Sequence, residues 1–86
     1  MPSKTVTVGS SVGLHARPAG VIAAAAADFG APVPLSLVGG DAVDAGSALM
    51  IMTLGAGAGT EVVVESDDPA AVETIAALVE ADLDAE

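Results

Sequence analysis

The stretch that decides the fold is the heptapeptide GLHARPA, residues Gly13–Ala19, which joins a predicted strand to a predicted helix. It holds His15 and Arg17, the only histidine and the only arginine of the chain. An imidazole can change charge or act as a nucleophile near neutral pH, and a guanidinium offers a rigid fork of donors for phosphate or carboxylate. Chemistry of either kind therefore has a single location in this sequence.

A helix is predicted to follow, from Ala16 to about Asp28. Pro18 lies in its first turn, where a missing N–H costs little, and residues 23–27 are consecutive alanines, which favour helix. Gly30 is the expected end. The residues predicted to form its buried stripe are Pro18, Ile22, Ala25, Ala26 and Phe29.

Outside this helix, alternating polar and apolar residues predict strands over Thr5–Val8, Val33–Val38 and Thr60–Glu65. The pair Gly39-Gly40 predicts a hairpin that leads to a short strand near Ala42-Val43. Two of the strands are therefore expected to pair antiparallel, whereas the order of the other strands does not follow from the pattern.

Two further helices complete the chain. Ser47 is a plausible N-cap of a short helix that ends near Leu54, because its hydroxyl could accept from a backbone N–H of the first turn. Asp68 followed by Pro69 is a helix-start signal, and the last helix is expected to run to about Leu83. The order β-α-β-β-α-β-α indicates an α+β domain, residues 1–86, with helices on one face of a sheet.

Composition narrows the function classes. The chain has no cysteine, which excludes disulfides and thiolate metal sites. Its formal net charge of −10 argues against nucleic acid and anionic membranes as partners, because both are negatively charged. No apolar run reaches the ~20 residues that span a bilayer, and the N-terminus does not resemble a signal peptide. We expect a cytoplasmic monomer.

His15 stands immediately before a helix, whose first N–H groups lack intrahelical partners and carry partial positive charge. An anion on the imidazole would meet the backbone N–H groups of Ala16 and Arg17 and the Arg17 guanidinium. A phosphoryl group suits this arrangement, since its transfer depends mainly on positioning and charge stabilisation. One histidine without cysteine is poorly suited to hold a metal, and we expect neither a metal nor a cofactor.

These residues carry a resemblance. The heptapeptide resembles the active-site signature of HPr, the histidine-containing phosphocarrier family of the phosphoenolpyruvate-dependent sugar phosphotransferase system. Chain length, element order and the segment Ser47–Gly55 are similar as well, so that the resemblance covers the whole chain. It implies an open-faced β-sandwich, in which three helices cover one face of a four-stranded antiparallel sheet. It also implies a phosphoryl carrier, not an enzyme, that receives the group from enzyme I and passes it to a IIA domain of a sugar permease.

The resemblance assigns roles residue by residue. His15 would be phosphorylated on its δ1 nitrogen, and Arg17 would balance the phosphate. Ser47 matches a serine that a regulatory kinase phosphorylates in some members; the alternative is an N-cap hydroxyl and nothing more. Leu49 and Met52 match apolar docking positions, and their i, i+3 spacing fits an exposed patch, although either could pack inward.

The sequence departs from the family pattern in its charges. Ala24 and Ala27 stand in the first helix where many relatives have basic residues, and Val12 occupies a position that is often polar. Electrostatic attraction to enzyme I is therefore expected to be weaker than in those relatives.

Two alternative functions stay open at this point. An acyl carrier protein would also be small and acidic, with Ser47 as the attachment site, but Gly46 stands where that family has Asp, and that family is all-helical. An HPr-like carrier could also serve a nitrogen-related regulatory branch, because partner specificity lies in surfaces that one sequence does not reveal.

Overall fold

The computed structural model describes residues 2–9, 13–14, 16–30 and 32–81. In this part of the chain the elements follow the predicted order: β1 (Ser3–Thr7), α1 (Ala16–Asp28), β2 (Pro34–Leu37), β3 (Val43–Asp44), α2 (Ala48–Thr53), β4 (Glu61–Glu65) and α3 (Pro69–Glu80). Every element described was predicted from the sequence, and the ends agree to within two residues except at the end of α3. The prediction that the last helix runs to about Leu83 is wrong: α3 ends at Glu80, because the backbone of Ala81, its C-cap, is extended with a ψ of 148°.

The four strands form one antiparallel sheet in the order β1-β4-β2-β3. The predicted fold class, α+β with a four-stranded antiparallel sheet, is confirmed, and so is the antiparallel hairpin of β2 and β3. Pro34 lies in a strand with neighbours on both sides, yet it pairs only with Asp44, and pairing with β4 begins at Leu35. A proline fits there because it is the first residue of the strand and no ladder bond needs its missing N–H.

All three helices pack on the same face of the sheet. Alternate residues of each strand lie on one face of the sheet, and this face is buried under the helices. The strands contribute Val6, Leu35, Val62 and Val64 to it. The helices bury against them a set of apolar side chains that includes Ile22, Ile51, Val72, Ile75 and Val79. The buried apolar residues of the described core are thus aliphatic, Phe29 packs against them while only partly buried, and α1 contacts both α2 and α3.

The buried stripe of α1 differs in part from the predicted one. Ile22 and Ala26 are buried as predicted, whereas Ala25 and Phe29 are only partly buried and Ala19 is fully buried. The reason is that α1 packs between two helices as well as over the sheet, so that its buried surface is wider and turned towards Ala19.

Candidate phosphoryl acceptor site

His15 itself lies outside the described residues, but the segments on both sides of it are described. Helix α1 begins at Ala16, as predicted, and Ala16 and Arg17 are exposed in its first turn. Pro18 and Ala19 are buried and hold this turn against the rest of the protein. The N-terminal N–H groups of a helix have no intrahelical acceptor, so the structure places donors and an arginine directly after His15 in the chain.

The chain enters the site through Gly13 and Leu14. The Leu14 side chain is buried, and its backbone N–H donates to the carbonyl oxygen of Ala56 over 2.9 Å. Ala56 belongs to the loop between α2 and β4, and it is buried as well. The residue before His15 is therefore fixed to a different part of the protein from the residue after it.

Helix α2 runs beside α1 in the opposite direction. At its N-terminal end, Asp44 and Gly46 border a shallow depression of about 380 Å³ whose other side is the C-terminal end of α1, at Ala26 and Ala27. At its C-terminal end, the chain reaches Ala56, which is bonded to Leu14 before the start of α1. These two contacts lie near opposite ends of α1, whose positions 17 and 27 are roughly 15 Å apart along the helix axis at a rise of 1.5 Å per residue. We call residues 44–56, which run alongside α1 from one contact to the other, the α2 segment.

Along this surface α2 exposes three large apolar side chains, which we call the α2 patch. Leu49 is 68% exposed, Met50 41% and Met52 37%, whereas Ile51 is fully buried. The sequence prediction that Leu49 and Met52 form an exposed patch agrees with the structure, and the alternative that they pack inward is wrong. An apolar patch on a protein of charge −10 suits a partner surface, and methionine side chains adapt to varied surfaces.

Met50 as a member of the α2 patch and Val21 as an exposed residue of α1 were not predicted from the sequence. A signal was present for Val21, because it lies one position away from the predicted buried stripe that includes Ile22. No such signal singled out Met50, since α2 has only six residues and an almost continuous apolar sequence.

Ser47 is the N-cap of α2, as predicted. Its hydroxyl oxygen accepts from the N–H of Met50 over 3.3 Å, and its carbonyl oxygen accepts from Ile51. The preceding turn is closed by Asp44, whose carboxylate accepts from the N–H of Gly46 over 2.8 Å. Ser47 therefore stands at the N-terminal end of α2, whereas Ala56, which is bonded to Leu14, follows the C-terminal end.

The charges of this face are few. α1 carries Arg17 near its start and Asp28 at its end, and α2 carries none. The chain's single lysine, Lys4, pairs with Glu73 of α3 over 3.4 Å between two exposed side chains. Arg17 is thus the cation that the described structure places at the candidate site.

Two searches of the described residues bear on other site types. Among residues 2–9, 13–14, 16–30 and 32–81, no group of three or more His, Cys, Asp or Glu side chains is arranged to hold a metal ion. None of the helices described is both long and apolar enough to cross a bilayer.

Comparison with known proteins gives one consistent result. Residues 2–81 match the family model described as the PTS HPr component phosphorylation site. The phosphocarrier protein HPr of Streptomyces coelicolor is 43% identical, over 92% of this chain and 88% of the relative. Two crystal structures are similar: HPr of Bacillus anthracis, with a TM-score of 0.81, 34% identity and coverage of 91% and 95% of the two chains, and HPr-C-His of Thermoanaerobacter tengcongensis, with a TM-score of 0.88, 28% identity and coverage of 100% and 99%.

Proposed function

Because the chain belongs to the HPr family of phosphocarrier proteins, we propose that His15 accepts a phosphoryl group from phosphorylated enzyme I and passes it to a IIA domain of a sugar permease. The observation that carries the proposal is the junction at Ala16. There the only imidazole of the chain directly precedes the first turn of a helix that presents N–H groups and Arg17. The α+β fold makes the acyl carrier alternative wrong, since that family is all-helical.

In the proposed reaction the δ1 nitrogen of neutral His15 forms a bond to phosphorus while the bond between phosphorus and the donor breaks. The transition state is loose, so its charge resides largely on the phosphoryl oxygens. The N–H groups of Ala16 and Arg17 and the Arg17 guanidinium would stabilise that charge. Transfer to the IIA domain reverses these bond changes, with the imidazole as leaving group.

Each proposed step uses groups of this chain and of its partner proteins, and none requires a metal or cofactor of this chain. The protein would act as a substrate and donor in a relay, not as an enzyme, as a cytoplasmic monomer. A nitrogen-related branch remains the second candidate, because the site residues would be the same and only the receiving domain would differ.

The α2 patch is proposed as the docking surface for enzyme I and the IIA domains. Leu49 and Met52 would enter an apolar recess of the partner, and Met50 would extend the contact. Since the α2 segment ends at the loop bonded to Leu14, a partner that covers the patch also reaches the start of α1. Docking and transfer would therefore use one continuous face.

Ser47 is proposed as a target of a regulatory serine kinase. A phosphate on its hydroxyl would add negative charge to a part of the surface that already holds Asp44. Ser47 lies at the N-terminal end of α2, and the loop bonded to Leu14 follows the C-terminal end. Its phosphate would therefore weaken docking on the α2 patch without covering the start of α1. Phosphorylation of Ser47 should therefore raise the KM of this chain as a substrate of enzyme I.

The test of the proposed function is phosphorylation by a cognate enzyme I and phosphoenolpyruvate, followed by intact mass at neutral pH. We expect one acid-labile phosphoryl group on the parental chain and none on His15→Ala. Arg17→Ala should be labelled more slowly while its circular dichroism spectrum stays parental. Labelling of His15→Ala at the parental level would overturn the assignment, and parental rates for Arg17→Ala would remove its charge-balancing role.

A further inference from the structure

We infer that the loop between α2 and β4, through Ala56 and Gly57, is a rigid support that positions the His15 segment for phosphoryl transfer, and that Gly13 is the positioning residue that fits against it. The inference rests on the proposed function of His15. It concerns residues outside the donors and charges already assigned to the reaction.

The contact between Gly13 and this loop leaves no room for a side chain. A Cβ atom at Gly13 would lie 2.6 Å from the carbonyl oxygen of Ala56 and 2.8 Å from the Cα of Gly57. Both atoms belong to the backbone, so neither can turn aside as a flexible side chain would. Gly13 also has a φ of +77°, which glycine adopts readily and residues with a Cβ rarely do.

The supporting loop is itself held on both sides. Gly55 donates to Met52 at the end of α2, and Thr60 donates to Gly57 within the loop, over 3.2 and 3.1 Å. Val8, just after β1, donates to Thr60 over 2.9 Å and accepts from Gly59 over 3.0 Å. The loop is thus bonded to α2, to the β1 end and to itself.

The two neighbours of His15 are consequently fixed by separate contacts. Leu14 is bonded to Ala56, and Ala16 begins a helix whose next two residues after Arg17, Pro18 and Ala19, are buried. One residue lies between these two anchors in the chain. A change that moves the Gly13 backbone away from Ala56 would displace Leu14 relative to the start of α1. Since His15 links Leu14 to Ala16 in the chain, we expect such a change to disturb the alignment that transfer requires.

Gly13→Ala tests the inference in the full-length protein, with enzyme I as donor. Because misplacement by about 1 Å can cost roughly 10²-fold in rate, we expect the single-turnover rate of phosphorylation to fall by about that factor. The concentration for half-saturation of enzyme I should change by less than about twofold, since the α2 patch is untouched. A general loss of structure would instead change both values.

Two control variants separate positioning from stability. Gly57→Ala makes the same chemical change in the same loop, but its Cβ would meet no atom within 4 Å, so its transfer rate should be parental. Ile75→Val loosens the core at a fully buried residue of α3, away from the loop, and should lower the melting temperature without slowing transfer. All rates are measured at a temperature at which circular dichroism shows each variant folded.

If Gly13→Ala does not fold, Ala56→Gly tests the rigidity of the supporting loop. It keeps the carbonyl oxygen that Leu14 bonds but removes a buried Cβ and frees the backbone, so a slower single turnover at unchanged half-saturation supports the inference. Parental single-turnover rates in folded Gly13→Ala, or in Ala56→Gly, overturn it. Absence of labelling in the parental chain gives a different result, because it refutes the proposed function of His15 itself.

Discussion

Replacement of Leu49 by alanine should weaken binding to enzyme I without affecting the stability of the fold. The side chain is 68% exposed in the free protein, so most of its apolar surface is available to a partner. Complete burial of a leucine side chain contributes about 1.5–3 kcal/mol, and two thirds of that is roughly 1–2 kcal/mol. We therefore expect the Kd to rise on the order of tenfold.

The neighbouring buried residue supplies the matched control. Ile51→Val also removes apolar surface from α2, but Ile51 is fully buried in the core. This change should lower the free energy of unfolding by about 0.5–1.5 kcal/mol and leave the Kd unchanged. Leu49→Ala, at an exposed helical position, should change stability by less than about 0.5 kcal/mol.

Isothermal titration calorimetry with enzyme I and urea unfolding measure the two quantities separately. We expect opposite outcomes for Leu49 and Ile51, which lie two positions apart in one short helix. Parental affinity for Leu49→Ala would show that the α2 patch is not the docking surface. A large loss of stability for Leu49→Ala would show that its side chain packs in the core, contrary to its exposure.

Other predictions concern the helices and the charges. Gly20→Ala should stabilise the fold by about 0.5–1 kcal/mol, because the added Cβ would meet open space beside α1. Gly39→Ala should destabilise the fold, because Gly39 has a φ of +79° that alanine rarely adopts. Thermal unfolding measures both changes. Asp68→Ala should lower the free energy of unfolding by about 1 kcal/mol, because it removes the N-cap oxygen that accepts from Ala70. Asp68→Asn should keep most of this stabilisation, and urea unfolding measures both. Association with enzyme I should not slow as ionic strength rises from about 0.01 to about 1 M, since α1 and α2 carry only Arg17 as a cation, and a steep fall in stopped-flow rate would contradict this.

The secondary structure followed from local signals that the structure bears out. Ser47 caps α2 through its hydroxyl oxygen, as predicted, and α3 begins at Pro69, where the pair Asp68-Pro69 predicted a helix start. The period-two alternation placed Val62 and Val64 on the buried face of β4. Such signals act over a few residues, so they can be read from the sequence without knowledge of the rest of the fold.

What the sequence left undetermined depends on contacts between distant segments. The position of β4 between β1 and β2 pairs residues that are 25 or more positions apart in the chain, which no local pattern encodes. The burial of Ala19 follows from packing between helices, and the approach of Gly13 to Ala56 joins two loops. For the candidate site, the sequence alone predicted Leu49 and Met52 as exposed but could not show that α2 leads back to the segment before His15.

The central claim is that the phosphoryl group resides on the δ1 nitrogen of His15. Because the chain has a single histidine, long-range proton–nitrogen correlation NMR shows one imidazole, and its two nitrogens can be followed through phosphorylation by enzyme I. We expect the δ1 nitrogen to gain a coupling to phosphorus and the ε2 nitrogen to show none. A phosphorylated chain whose imidazole signals are unchanged, with phosphorus bonded to an oxygen such as that of Ser47, would contradict it.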